Sequence, residues 1–418
     1  SVLKGCVVSA LRVLSAGDRN RNLHLGISLV ITAIAVLKEM AEKAEELVDK
    51  TINRDLERAH YMEVRYAFVE YSAYMEQSVQ RIEGRLDQLP LASRQVMSST
   101  IMNRKLKGMR EAIARNQAFF DAVIEFQDRS SPFPIVDSIH GATTRTSARQ
   151  VDKVNTTLHQ LMRDWSAEGT EERKQSYGAV IEELERLLPV DPHKQGTIRV
   201  LVPGAGLGRL AMEIVARGYA CDGNEFSYFM LMVSNFILNG VQEEDEFSLS
   251  PFVDNQCNVF NVEDMLRTLN VPDVCPSSLL EKAGDTLNFS MTAGEWLNCY
   301  EDQEATFDAI TTVFFLDTAP VAIEYIEAIA RLLKDGGVWI NFGPLLYHWA
   351  QSSSEETDER FHRSVELSWE EIRHVCTNYG LEIIREERRD ATYNANQRGL
   401  MKTMYKCVLC SAVKRSKP

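Results

Sequence analysis

The sequence contains no apolar run long enough to cross a bilayer and no excess of basic residues. Residues 26–37 are continuously apolar or small, but a membrane-spanning helix needs about 20 such residues. We therefore expect a buried or amphipathic helix there, with a membrane tether at residues 23–37 as the alternative. Acidic residues outnumber basic ones by 60 to 46, and the net charge of −14 argues against a general nucleic-acid groove.

The 8 cysteines do not form a disulfide framework, because they lie at the irregular positions 6, 221, 257, 275, 299, 376, 407 and 410. Such spacing suits a reducing compartment, so we expect a cytoplasmic protein, with the nucleus as a second location. Cys407 and Cys410 form a C-x-x-C pair inside an apolar run that reads as a strand. No second pair or nearby histidine completes a zinc site, so we interpret both as structural and predict no metal site.

Between residues 198 and 225 the sequence predicts a strand, a glycine-rich turn and a helix. The apolar run at residues 198–202 is rich in β-branched side chains, which is typical of a buried strand. Gly204, Gly206 and Gly208 follow, and glycine lets the backbone approach a ligand that faces the N–H groups of the helix start. Glu225 lies about twenty residues beyond the turn, where a carboxylate can bind the hydroxyls of a ribose.

The spacing of these glycines favours one cofactor over others. Gly-Ala-Gly-Leu-Gly differs from the G-x-G-x-x-G pattern that binds a pyrophosphate, and no Lys-Ser/Thr pair follows to hold a nucleoside triphosphate. S-adenosylmethionine has a ribose but no phosphate, so it suits this turn better than NAD or ATP. We therefore predict an S-adenosylmethionine site.

Strands and helices alternate in the second half of the chain. The predicted strands after the glycine turn cover residues 286–291, 307–315, 338–342, 381–384 and 404–413, with helices at 228–238, 319–333 and 368–379. This alternation predicts an α/β fold with a mostly parallel sheet and helices on both faces. Asp-Gly-Gly at 335–337 would close helix 319–333, and residues 241–284 form an irregular insert. Ligands of such sheets bind at the carboxyl ends of the strands.

The N-terminal part reads as helical. Apolar residues recur at helical spacing between residues 34 and 89 and again between 93 and 123, which predicts about three helices. A polar, proline-bearing stretch that ends near residue 149 is typical of a linker. We therefore divide the chain into an unassigned segment 1–51, a helical region with linker 52–149, and an α/β domain 150–418. The N-terminal helices offer a surface for a homodimer, which the sequence leaves open.

Two further helices are predicted between the linker and the glycine turn, at residues 151–165 and 171–188. The first has an apolar face, and Gln160 and Arg163 lie together on the opposite face. One interpretation is a solvated face. The other is that this helix covers the cofactor, so that the amide and the guanidinium bind its carboxylate.

In these features the chain resembles the carnosine N-methyltransferase family, from about residue 60 to residue 413. The resemblance is carried by motifs at residues 163–166, 202–210, 223–227, 234–236, 288–294, 314–319 and 341–348. Many methyltransferases share the glycine turn, whereas Gly-Pro-Leu-Leu-Tyr-His at residues 343–348 is particular to this family. The resemblance implies the seven-stranded Rossmann-like fold of S-adenosylmethionine-dependent enzymes.

The resemblance also implies roles for individual residues. Those expected to bind the cofactor are Gln160, Arg163, Gly204, Glu225, Glu295, Trp296 and Val313. Asp317, His348 and Tyr405 would bind the imidazole and the dipeptide. Two positions depart from the family pattern. Glu295 replaces an aspartate, and Thr403, which we expect on the same strand face as Tyr405, replaces an aromatic residue.

The chemistry of methyl transfer gives Asp317 and His348 catalytic roles. Only an unprotonated imidazole nitrogen can attack a methyl group, and a carboxylate that accepts the other ring N–H fixes the tautomer. Asp317 suits this role, with His348 as its partner or as proton acceptor. Locally, Asp317 could instead cap the helix 319–333, and His348 could be an ordinary loop histidine.

The expected activity is methylation of the π nitrogen of carnosine, which gives anserine. Two alternatives remain open at this point. The acceptor could be a histidine within a protein or another histidine-containing dipeptide, or the chain could be a binding protein with an adenosylmethionine fold and no catalysis.

Overall fold

The computed structural model describes residues 55–96, 99–130, 146–281, 288–350 and 359–416. The predicted segment 1–51 and most of the predicted linker lie outside these residues, so the proposed domain boundaries stay predictions. The sheet and the candidate site both belong to one compact unit, Val64–Pro418. Within the described ranges, no helix combines the length and the hydropathy that crossing a bilayer requires.

Seven strands form the central sheet: β1 (Arg199–Pro203), β2 (Ala220–Glu225), β5 (Phe289–Ala293), β6 (Phe307–Val313), β7 (Leu333–Gly343), β8 (Leu381–Ala391) and β9 (Tyr405–Lys414). Their order across the sheet is β5-β2-β1-β6-β7-β9-β8. The first five strands in this order pair in parallel, whereas β9 pairs antiparallel with β7 and β8. The predicted α/β fold with a mostly parallel sheet is confirmed.

Helices cover both faces of the sheet. Residues 55–69 are helical, and the helices that follow are α1 (Tyr71–Asp87), α2 (Leu91–Val96), α3 (Ser99–Ser130), α4 (Ala148–Trp165), α5 (Thr170–Arg173), α6 (Ala179–Leu187), α7 (Arg209–Val215) and α8 (Tyr228–Asn239). Further along the chain lie α9 (Val262–Leu266), α10 (Pro276–Glu281), α11 (Trp296–Cys299), α12 (Ala322–Leu332), α13 (Glu359–Arg363) and α14 (Trp369–Asn378).

The alternation of side chains along β1 explains why both faces need a cover. Val200 and Val202 pack in one apolar cluster with α6 and α7, whereas Leu201 packs in the other cluster with α12 and α14. Successive residues of a strand point to opposite faces, so an uninterrupted apolar strand must be buried on both sides.

Several element boundaries differ from the sequence-based expectation. The predicted helix 171–188 is interrupted by a π turn at Lys174–Gly178, between α5 and α6. Helix α12 starts at residue 322 instead of 319, and Asp-Gly-Gly at 335–337 lies at the start of β7 instead of closing the helix. Strand β5 spans Phe289–Ala293 and ends directly before Gly294, as predicted, whereas the predicted strand residues 286 and 287 lie outside the described residues.

The insert at 241–284 is not irregular throughout, which corrects the prediction. Two strands, β3 (Phe247–Leu249) and β4 (Leu269–Val271), pair antiparallel; the short helix α9 lies between them, and α10 follows β4. The ring of Phe247 lies 5.4 Å from that of Phe119 on α3, so the insert packs against the N-terminal helices. Strands of three residues are too short to show a periodic pattern in the sequence.

Candidate active site

The glycine-rich turn after β1 adopts a backbone that favours glycine. Gly204, Gly206 and Gly208 have φ values of +68°, +56° and +81°, which L side chains rarely adopt. A Cβ added at Gly204 would lie 2.5 Å from the ring of Phe315. A side chain at this position would therefore meet Phe315 first, and not a bound nucleoside.

Glu225 ends β2 and fixes the shape of the glycine turn. One carboxylate oxygen accepts the N–H of Gly206 at 2.9 Å, and the other accepts the N–H groups of Phe226 at 2.9 Å and Ser227 at 2.8 Å. Burial raises the pKa of Glu225, and the three backbone hydrogen bonds partly offset that rise. A carboxylate offers about four acceptor positions, so it can still accept a ligand hydroxyl.

Gln160 and Arg163 are buried on α4, so the solvated-face interpretation is wrong. The Arg163 guanidinium donates through Nε to Asp164 Oδ1 at 2.8 Å and through Nη2 to the hydroxyl of Tyr177. It also lies 4.5 Å from the centre of the Tyr393 ring, and Gln160 donates to the hydroxyl of Tyr393. Both side chains are therefore held in fixed positions.

These groups line one cavity of about 580 Å³ at the carboxyl ends of β1, β2, β5 and β6. The predicted site residues that line it are Gln160, Arg163, Gly204, Gly206, Glu225, Glu295, Trp296, Val313 and His348. Gly204, Gly206, Glu225, Glu295, Trp296 and His348 follow strands, so the ends of these strands meet at one edge of the sheet, where the sequence predicts ligand binding.

Glu295 and Trp296 form the wall beyond β5. Glu295 caps α11 by accepting the N–H of Asn298 at 3.0 Å. Trp296 is buried, and its ring packs edge-on against Phe315 at 5.8 Å and Tyr325 at 5.1 Å. This wall combines an apolar surface with one carboxylate.

Asp317 lies in a short 3-10 turn after β6 and is only 3% exposed. Its Oδ2 accepts the N–H of Leu346 at 2.9 Å, and no other residue that the structure describes donates to the carboxylate. The helix-cap alternative is wrong, because α12 begins after Val321. Burial raises the pKa of Asp317, while the Leu346 N–H and the nearby His348 act in the opposite direction.

His348 and Tyr405 both lie near the Asp317 carboxylate. The His348 N–H donates to the Asp317 carbonyl at 3.0 Å, and the His348 side chain lines the cavity. Tyr405, the first residue of β9, packs edge-on at 5.8 Å against Phe314, which lines the cavity as well. Asp317 and Tyr405 themselves are not among the residues that line the cavity. Thr403 precedes β9 and is exposed, so its predicted place on the strand face of Tyr405 is wrong.

Two aromatic residues of the site were missed in the sequence. Tyr177 lies in the π turn and Tyr393 lies in the turn after β8, and both line the cavity. Neither stands in a periodic pattern or beside a glycine motif. Only the folded chain brings them together around Arg163.

The cavity fits the polar ends of S-adenosylmethionine. The Oε1 atom of Gln160 is buried and accepts no hydrogen bond from the described residues, so it is available to a ligand donor such as an ammonium group. Arg163 supplies a positive charge for a carboxylate, and Glu225 supplies an acceptor for ribose hydroxyls. Donors and acceptors thus lie along one continuous wall.

Comparison with known proteins gives a consistent family. The sequence model of the family described as carnosine N-methyltransferase matches residues 140–416. A carnosine N-methyltransferase of Rattus norvegicus is 38% identical over 360 residues, which is 85% of this chain and 86% of the relative. One of Schizosaccharomyces pombe is 36% identical over 350 residues, covering 82% of this chain and 92% of the relative.

Proposed function

Because the chain belongs to the carnosine N-methyltransferase family, we propose that it transfers a methyl group from S-adenosylmethionine to the imidazole of carnosine. The acceptor atom is the π nitrogen, and the product is anserine. The observation that carries the proposal is that Gln160, Arg163 and Glu225 share one cavity with His348, beside the buried carboxylate of Asp317.

The cofactor end of the cavity is defined by the glycine turn and α4. When bound, S-adenosylmethionine would supply an electrophilic methyl group on its sulfonium. Arg163 would bind the carboxylate of the methionine part, Gln160 its amino group, and Glu225 the ribose hydroxyls. Glu295, Trp296 and the backbone near Val313 would border the adenine.

At the acceptor end, Asp317 would hold the dipeptide's imidazole. Its Oδ2 is fixed by the Leu346 N–H, which leaves Oδ1 to accept a ring N–H. If Oδ1 holds the nitrogen farther from the dipeptide backbone, the nearer π nitrogen presents its lone pair to the methyl group. His348 and Tyr405 complete the acceptor end and limit how the ring can turn.

The raised pKa of Asp317 suits this carboxylate to a second role, as a proton acceptor. A methylated imidazole carries a positive charge, and its remaining N–H lies against the Asp317 carboxylate. A carboxylate whose pKa is raised by burial is a better proton acceptor than an exposed one, so Asp317 assists the loss of this proton. His348, next to it, can pass the proton towards solvent.

The test is a methyl-transfer assay with carnosine, free histidine and a histidine-containing peptide side by side. We expect turnover with carnosine to exceed that with either other acceptor, and NMR of the product to place the methyl on the π nitrogen. Preference for the peptide would make a protein histidine the acceptor. Cofactor binding without transfer to any of the three would contradict the enzymatic proposal.

We also propose that the protein acts in the cytoplasm and in the nucleus, and that its N-terminal helices mediate a homodimer. The seven cysteines in the described residues are all free, which fits a reducing compartment. Imaging of the tagged chain and light scattering of the purified protein test the two statements. A secreted protein, or a monomer at all concentrations, would contradict them.

A further inference from the structure

Tyr393 connects the two ends of the cavity. Its ring lies 4.5 Å from the Arg163 guanidinium and 4.7 Å from the ring of Phe314, and its hydroxyl accepts from Gln160. Arg163 and Gln160 belong to the proposed cofactor end, whereas Phe314 packs against Tyr405 at the acceptor end. A shift of the Tyr393 ring would therefore disturb both the cofactor end and the acceptor end of the cavity.

The turn that carries Tyr393 is held by a buried carboxylate. Glu172 on α5 is 1% exposed, and its two oxygens accept the N–H groups of Asn394 at 2.9 Å and Ala395 at 2.8 Å. Asn394 has a φ of +53°, a left-handed conformation that the turn maintains. No basic side chain in the described part of the chain pairs with Glu172, so its charge is directed at these two backbone N–H groups.

The same helical segment places a second ring on Arg163. Five residues after Glu172, the Tyr177 ring lies 5.3 Å from the guanidinium and its hydroxyl accepts from Nη2. Tyr177 lies in the π turn at Lys174–Gly178, directly after α5, and such turns are frequent at functional sites. One short segment thus positions both rings that contact Arg163.

We propose that Glu172 is a positioning residue for methyl transfer, acting through Tyr393. Its carboxylate fixes the turn after β8, so that the Tyr393 ring stays between the cofactor end and the acceptor end. This inference rests on the proposed function and extends it to a residue that contacts neither the cofactor nor the dipeptide.

The first test is Glu172→Gln in the full chain, with carnosine and S-adenosylmethionine as substrates. The amide keeps the shape, but it can accept only one of the two N–H groups well and turns its NH₂ towards the other. Since a misplacement of about 1 Å can cost up to about a hundredfold in rate, we expect kcat/KM to fall about tenfold. Glu182→Gln is the matched control, because Glu182 is an exposed glutamate on the next helix, α6, and its rate should not change.

The second test separates positioning from a general loss of stability. Tyr393→Ala alone should reduce kcat/KM, and adding Glu172→Gln to it should change the rate by less than about twofold, because the ring that Glu172 positions is gone. The drop in unfolding temperature caused by Glu172→Gln should persist in both backgrounds. Rate losses that multiply in the double variant would overturn the proposal.

The remaining outcomes are also decisive. An inactive wild type would contradict the proposed function itself, whereas an active wild type with an unaffected Glu172→Gln variant would contradict only this inference. If Glu172→Gln does not fold, Glu172→Asp, which retains the charge, takes its place in the cycle. Failure of both variants to fold would assign Glu172 to stability alone and overturn the positioning role.

Discussion

The two ends of the cavity are built in different ways. At the cofactor end, the part next to the ribose rests on local backbone: three glycines with positive φ and a carboxylate that binds three N–H groups, all between residues 204 and 227. Only Gln160 and Arg163 on α4 and the wall after β5 come from elsewhere in the chain. The acceptor end rests on side chains from distant parts of the chain, Asp317, His348 and Tyr405. A backbone site depends on local conformation, whereas a side-chain site depends on how separate elements support each other.

The largest effect is expected from Asp317→Asn, which should affect only the acceptor end. The amide keeps the shape but loses the charge, and its NH₂ can present a donor where the imidazole N–H needs an acceptor. We expect turnover to fall by about a hundredfold or more, a loss of roughly 2.7 kcal/mol in transition-state stabilisation. Calorimetry should give nearly unchanged affinity for S-adenosylmethionine.

Product analysis completes this prediction. In the wild type, NMR should find the methyl on the π nitrogen of carnosine. A near-wild-type rate in the Asn variant, or methyl on the other ring nitrogen, would remove Asp317 from its role. Asp308→Asn is a suitable control, because Asp308 lies near the start of β6, at the opposite end of the strand from the cavity.

The complementary change acts on the cofactor end. Glu225→Ala removes the acceptor for the ribose hydroxyls and frees three backbone N–H groups, and Gly204→Val forces a left-handed β-branched residue against Phe315. Hydrogen bonds to charged groups contribute about 1.5–3 kcal/mol, so each variant should bind S-adenosylmethionine at least about tenfold more weakly by calorimetry.

Gly336→Ala is the control for backbone strain. Gly336 also has a positive φ, of +78°, but a Cβ there meets no atom within 4 Å, and it lies at the start of β7. Its affinity for S-adenosylmethionine should match that of the wild type. Equal affinity in all three variants would instead separate the glycine turn and Glu225 from cofactor binding.

The same contrast explains what the sequence could predict. The glycine turn and Glu225 were found because the strand, the glycines and the acid follow each other at short spacing. Sequence reasoning missed Tyr177, Tyr393 and Glu172, since the role of each depends on contacts with residues far away in the chain. Asp317 and His348 were chosen largely through the family resemblance, because locally they also fitted a helix cap and a loop.

At the level of the fold, long apolar strands were predicted and short elements were not. Strand β6 and its neighbours show continuous apolar runs, which identify buried strands without further information. The three-residue strands of the insert give no such signal, and the π turn after α5 leaves the apolar pattern nearly unchanged. These elements depend on tertiary packing against α3 and α4.

A smaller effect is expected from Tyr405→Phe, which keeps the ring beside Phe314 and removes only the hydroxyl. A neutral hydrogen bond contributes about 0.5–1.5 kcal/mol, so KM for carnosine should rise about threefold to tenfold while cofactor affinity stays the same. Steady-state kinetics with carnosine varied at saturating cofactor measures this. The control is Tyr379→Phe, because Tyr379 follows α14 on the far side of the sheet, and it should leave KM unchanged. An equal rise of KM in both variants would argue against substrate contact by Tyr405.

The smallest effect on either end of the cavity should come from Glu183, a buried carboxylate on α6. Its oxygens accept from Arg186 at 2.6 and 2.9 Å, from Arg385 at 2.5 Å and from Ser411 at 2.5 Å. Burial alone would raise the pKa of Glu183, but these hydrogen bonds outweigh burial and lower the pKa from 4.5 to about 2. Because the folded state has the lower pKa, Glu183 stabilises the fold fully above pH 4.5, and this contribution is lost as the pH falls towards 2.

The hydrogen bonds that lower this pKa are present only in the folded state. Glu183→Gln should therefore lower the free energy of unfolding in urea at pH 7, and its deficit against the wild type should shrink as the pH falls below 4.5. Activity per folded molecule and affinity for S-adenosylmethionine should not change, because Glu183 faces the middle of β8 and β9 and not the cavity. Glu182→Gln, at the exposed neighbouring position, should leave stability unaffected. A deficit that is independent of pH would contradict stabilisation by the Glu183 charge. A change in cofactor affinity would mean that this part of the sheet is coupled to the cavity.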